Sequence, residues 1–144
     1  MKKYILAAVA ILVSLTFTAC GGGDSKEEEE TEEVVAEAPN WKATDAYAFE
    51  STMTACFTLP STMKLSTKDE LAVLCGDEVR GVATRVNVSG SYVWMVVIGA
   101  DPGDVLTVKY YSASAQRIYT STSVITFTAD AQAGTPDAPQ ELTF

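Results

Sequence analysis

The sequence predicts an all-β domain, a small two-sheet sandwich, placed behind a leader and an acidic linker. Three observations carry this. From Trp41 onward the composition turns to Thr, Val, Tyr and Ser, residues that fit a pleated surface. No long apolar stripe of 3.6-residue period is present. Short alternating runs recur instead, separated by turn residues every 8–14 positions, the spacing of a sandwich or barrel. In order, Phe49–Phe57 alternates with Phe49, Met53, Ala55 and Phe57 on one face, and Leu71–Cys75 is a short buried run. Val82–Val88 alternates with Val82, Val86 and Val88 inward, and Ser89-Gly90-Ser91 is a turn. Tyr92–Ile98 is apolar on both faces and belongs in the middle of a sheet. Ala100–Asp104 is a tight turn built on Pro102-Gly103, followed by strands at Val105–Tyr111, Arg117–Thr120 and Val124–Ala129. The stretch Gly134–Pro139 is irregular, and Leu142–Phe144 closes the domain as an edge strand.

Length and charge narrow the function classes. The chain has 144 residues and a formal charge of −9, enough for one modest domain with accessory segments. Excess acid disfavours a nucleic-acid partner, which needs a basic footprint. There is no histidine, the commonest general base and zinc ligand, and no closely spaced cysteine pair. No metal or cofactor is expected.

Residues 1–19 read as a secretory leader: Lys2 and Lys3, an apolar run from Tyr4 through Val13 to Phe17, then small residues. Residues 20–40 follow as a tether, whose glycine triplet and glutamate run predict an extended, solvated chain. Twenty residues span at most about 70 Å. Residues 21–40 hold eight acids against one lysine, whereas 41–144 hold eleven acids against seven bases. The acidity is mostly a property of the tether.

Phe17-Thr18-Ala19-Cys20 resembles the lipobox of bacterial lipoproteins. The resemblance implies cleavage before Cys20 and acylation of that cysteine, so that acyl chains make the membrane a partner. Ser25-Lys26-Glu27-Glu28-Glu29 resembles the acidic export signal of Bacteroidetes-type surface lipoproteins, and Gly21 stands where an inner-membrane retention signal would carry Asp. Gly21 implies the outer membrane, and the acidic run implies exposure at the cell surface. Over residues 41–144, Trp41, Tyr47 through Ala55, the block Gly76–Ala83, Leu106–Tyr111, Ile125–Phe127 and Gly134–Pro139 resemble an immunoglobulin-like β-sandwich repeat module of Bacteroidetes-type secreted and surface proteins. That resemblance implies fold and location, and brings no catalytic activity or ligand.

Candidate chemistry is sparse. Asp77, Glu78 and Arg80 form the densest polar cluster, and alternation puts Glu78 and Arg80 on one side of an extended segment, where an ion pair would brace a loop. The adjacent acids Asp69-Glu70 and Asp77-Glu78 flank expected turns and point to opposite faces, which does not suit a two-carboxylate hydrolase. Asp101 and Asp104 offer two carboxylates where calcium wants six to eight oxygens, so turn chemistry explains them better. Trp41, Tyr47, Tyr111 and Tyr119 are the aromatic candidates for a ligand-contact surface, and Trp94 is assigned to the core. Cys56 and Cys75 remain either a disulfide of an exported protein or two buried thiols. The expected role is non-catalytic: adhesion, scaffolding, or capture of a glycan or an envelope protein. The alternatives are a structural envelope protein without soluble ligand and, remotely, a small hydrolase.

Overall fold

The alternating runs become nine strands in a computed structural model that describes residues 35–144. The leader, Cys20 and the tether before Val35 lie outside the described residues. In chain order the strands are β1 (Thr52–Thr58), β2 (Glu70–Cys75), β3 (Glu78–Val82), β4 (Thr84–Val88), β5 (Ser91–Gly99), β6 (Val105–Ser112), β7 (Arg117–Thr126), β8 (Gln132–Ala133) and β9 (Gln140–Glu141). A single 3₁₀ turn, Ala46–Ala48, precedes them, and no α-helix occurs among the described residues. The first sheet runs β4-β5-β1, with the two short strands β8 and β9 both parallel to the far side of β1. The second runs β3-β2-β6-β7, antiparallel throughout. The protein is an all-β sandwich.

The core lies between the sheets. Met53, Ala55 and Phe57 of β1 and Trp94, Val96 and Ile98 of β5 meet Leu71, Val73, Leu106, Val108 and Tyr110, with Ile125, Phe127 and Leu142 closing the sides. Each large apolar side chain so buried contributes about 1.5–3 kcal/mol. One end of this core is aromatic: Tyr110 stacks on Tyr119 at 6.2 Å, meets Trp94 edge-on at 6.2 Å and touches Phe144 at 6.1 Å.

Several expectations from the sequence are corrected here. The run 82–88 is not one strand facing inward. It breaks at Ala83, whose N–H donates to the Leu71 carbonyl, and the chain passes from the second sheet to the first. Pairing of Arg85 with Trp94 and of Val86 with Val93 then turns Arg85 to the core side and leaves Val86 36% exposed, while Val82, paired with Ala72 at the end of β3, is 37% exposed. Gly81 makes the crossing fit. A Cβ there would stand 2.6 Å from Val96 Cγ2 and 2.8 Å from the Val97 carbonyl oxygen. Phe49 precedes β1 instead of joining it. The two short strands expected at 117–120 and 124–129 are one, β7, reconciled with β6 by a bulge between Thr107 and Lys109. The closing strand is Gln140–Glu141, which leaves Leu142 free to enter the core.

Asp69 is the largest departure. It is not a solvated turn acid. It is 8% exposed, and its carboxylate accepts hydrogen bonds from Ser66 N (2.6 Å), the Tyr110 hydroxyl (2.7 Å) and Ala113 N (2.8 Å). The turn at Asp101–Asp104, by contrast, forms as expected. Asp104 N donates to the Asp101 carbonyl, the Asp104 carboxylate accepts from Asp101 N, and Gly103 takes φ +92°.

Burial, with the Asp69 carboxylate beside it, pushes the Tyr110 phenol well above its ordinary value of about 10. A phenol raised in this way stabilises the fold fully below its unfolded value, and that contribution is lost as pH rises through the folded value. Urea midpoints should therefore fall more steeply above pH ~10 for the native chain than for Tyr110→Phe. At neutral pH the variant should cost about 1.5–3 kcal/mol, the worth of a hydrogen bond to a charged group. Parallel alkaline slopes for the two proteins would contradict this account.

Candidate functional site

The polar cluster singled out in the sequence is a brace. Arg80 Nη2 lies 2.8 Å from Glu78 Oε2, with Arg80 mostly buried and Glu78 72% exposed. The Arg80 guanidinium also sits 4.7 Å above the Phe49 ring. Phe49 in turn fills the space beside Gly99, where a Cβ would come within 2.5 Å of its ring. Arg80 thus holds the segment entering β1 onto the sandwich, while Asp77 lies exposed in the β2–β3 turn. Its stem and ring contact outweigh a solvent-facing ion pair. Arg80→Ala should lower stability by about 1–2 kcal/mol, an ordinary cost for a packed side chain, and Glu78→Gln by less than about 0.5 kcal/mol. Thermal melts of the two variants read the difference directly.

Cys56 and Cys75 are both free thiols. They sit in different sheets. Cys56 alternates with Ala55 and Phe57 and so faces away from the core, beneath the C-terminal segment around Gly134, whereas Cys75 ends β2 and packs against the core. Burial pushes the Cys56 thiol up. In the native protein Cys75 should be alkylated before Cys56, and both should react after denaturation without reductant; mass spectrometry of the time course gives the order.

The four aromatic candidates are not brought together. Tyr111 is buried, Tyr119 is stacked in the aromatic end of the core, Trp41 is half-buried, and Tyr47 stands alone at 79% exposure on the 3₁₀ turn. No continuous stacking platform arises from them.

Concavities do arise among the described residues, and neither the groove on the first sheet nor the pocket at Tyr92 and Trp94 is marked by those four. The outer face of the first sheet carries a groove of about 430 Å³, floored by Thr54, Cys56, Met95 and Val97. Ala43 and Thr44 line it together with Gln132 and Pro136, and no charged side chain takes part. Met95 and Val97 are each 40% exposed in its floor. The groove has no signature in the sequence: Val82 is read there as inward and Val97 belongs to a run apolar on both faces, and only strand pairing decides which side lies open. At one end of the sandwich, Tyr92 and Trp94 wall a second pocket of about 230 Å³ with residues of the long β1–β2 loop. Arg85 lies over both rings, its guanidinium carbon 4.9 Å from the Tyr92 centroid and 5.9 Å from that of Trp94. The β4–β5 turn, with Ser89 and Gly90 both at positive φ, fixes the register that places these three on one face. The alternation of 84–88 against 91–98 around Ser89-Gly90 was the available signal.

Among the described residues no group of three or more Cys, Asp or Glu side chains converges as a metal site would require. Compared with known proteins, the chain matches no family model, no curated protein and no solved structure.

Proposed function

We propose that this protein is a lipid-anchored module of the cell envelope, held through acyl chains on Cys20, that captures an extended, uncharged segment of a partner protein in the groove of its first sheet. The carrying observation is the groove itself: an exposed apolar floor at Met95 and Val97, lined without a single charge. Contiguous exposed apolar surface of this kind marks interaction sites.

Two features favour a polypeptide as occupant. The hydroxyls of Thr44, Thr54 and Thr84 stand among the apolar side chains, so a peptide backbone would find partners there. Beside the groove, β4 ends the sheet, and among the described residues nothing pairs with its outer edge. Bare edges take added strands. The domain's own excess of acids, eleven against seven bases over 41–144, works against close association of two copies, which favours a different partner. Adhesion or scaffolding at the membrane follows from such capture without catalysis.

A peptide library selected on the full mature chain, then counter-screened on Val97→Asp, tests the reading. Enriched peptides should be apolar and uncharged in their central residues, lose at least tenfold in affinity for Val97→Asp, and shift the Met95 methyl resonance. Selection of charged peptides, or of binders indifferent to Val97→Asp, would overturn it.

A further inference from the structure

The pocket at the sandwich end is separate from the groove and carries its own chemistry. Arg85 donates from Nη1 to the Ser66 carbonyl at 2.8 Å and lies over Tyr92 and Trp94, yet among the described residues no carboxylate is within ion-pair distance of it. Asp69 shares the same loop. Its oxygens are already taken by Ser66, Tyr110 and Ala113. A half-buried guanidinium with no ion-pair partner among the described residues is set up for an anion brought from outside.

The surroundings restrict which anion. Tyr92 is 46% exposed and offers ring surface for stacking. Thr58, Ser61 and Ser91 place hydroxyls in the pocket wall, and none of the three hydroxyls is engaged by another protein group among the described residues. A volume of about 230 Å³ lies below the roughly 300–1,000 Å³ of pockets for drug-sized ligands, which limits the occupant to one ring at a time. Aromatic surface, hydroxyl partners and an unpaired guanidinium beside a ring-sized space together match a sugar acid.

We infer that Arg85, Tyr92 and Trp94 form a binding site for the carboxylated residue of an acidic glycan, with the carboxylate on Arg85 and the pyranose face on Tyr92. The site does not rest on the groove, and either can fail alone.

Titration of the full mature chain with tri-galacturonate and with its methyl ester, followed by aromatic fluorescence, tests the site. The acid should bind at least tenfold more tightly than the ester and weaken with added salt. Arg85→Gln and Tyr92→Ala should each reduce acid binding at least tenfold. Because Arg85 also ties down the Ser66 loop, Tyr92→Ala, an exposed position, keeps the test valid where Arg85→Gln melts early. Val97→Asp in the groove should leave the titration unchanged. Equal binding of acid and ester, no binding at millimolar sugar, or indifference to Tyr92→Ala would overturn the assignment. Tighter binding of an acetylated tripeptide through its C-terminal carboxylate would overturn it in favour of a peptide end.

Discussion

The Asp69 carboxylate is the interaction on which the most separate parts of this sandwich depend. It reaches its own loop at Ser66, the aromatic end of the core at Tyr110 and the β6–β7 turn at Ala113. A charge taken this far from water is tolerated only when hydrogen bonds replace its hydration, and removing one partner leaves the others unsatisfied. Arg85 then fastens to the same loop through the Ser66 carbonyl. The aromatic end of the core and the pocket beside it are therefore fixed by one buried acid, and the long β1–β2 loop has a definite shape where its sequence alone would leave it free.

The opposite face has a different origin. Its groove exists because residues 78–88 serve both sheets, crossing where Gly81 lets the backbone approach β5. Crossing leaves Val82 and Val86 outside, and the segment at Ala43–Thr44 with that at Gln132–Pro136 forms walls on either side of the apolar floor. Three sheet edges are managed: Thr44 bonds to Val79 on β3, Thr143 to Thr122 on β7, and β8 and β9 cover β1. Among the described residues β4 alone keeps its edge. A fold that covers three edges and leaves the fourth beside an apolar groove concentrates its interaction surface there.

Much of the fold was legible in the sequence. Alternation marks β1, which packs one face on the core, continuous apolar runs mark β2 and β5, and the Pro102-Gly103 turn ahead of β6 announces itself through backbone geometry. The inward assignment of Val82, Val86 and Val88 failed because alternation gives a period without a phase, and only pairing with β5 supplies the phase. β7 was divided because its exposed Thr and Ser residues read as a break, although β6 holds them in one ladder. Asp69 was misplaced for a related reason: three partners distant in the chain, or bonded through backbone N–H groups, leave no local pattern. The candidate sites were less legible still. Arg85, Tyr92 and Trp94 meet only through strand register, and a groove is made by backbone paths that no short motif encodes.

The pairing of β1 with β8 and β9 also sets an order of assembly. β1 is the first of the described strands, but its partners are β5, beyond three intervening strands, and two short strands near the C-terminus. Such non-local pairing requires loop closure before any contact rewards it, and it folds slowly. The hairpins β2–β3, β4–β5 and β6–β7 can zip as they emerge, whereas β2 must wait for β6 and β1 for β5 and the short C-terminal strands. The last residues act as a latch: Leu142 N bonds to the Thr58 carbonyl as its side chain enters the core. A chain stalled or clipped before Gln140 is thus left with an unclosed edge on β1, and not with a smaller finished domain.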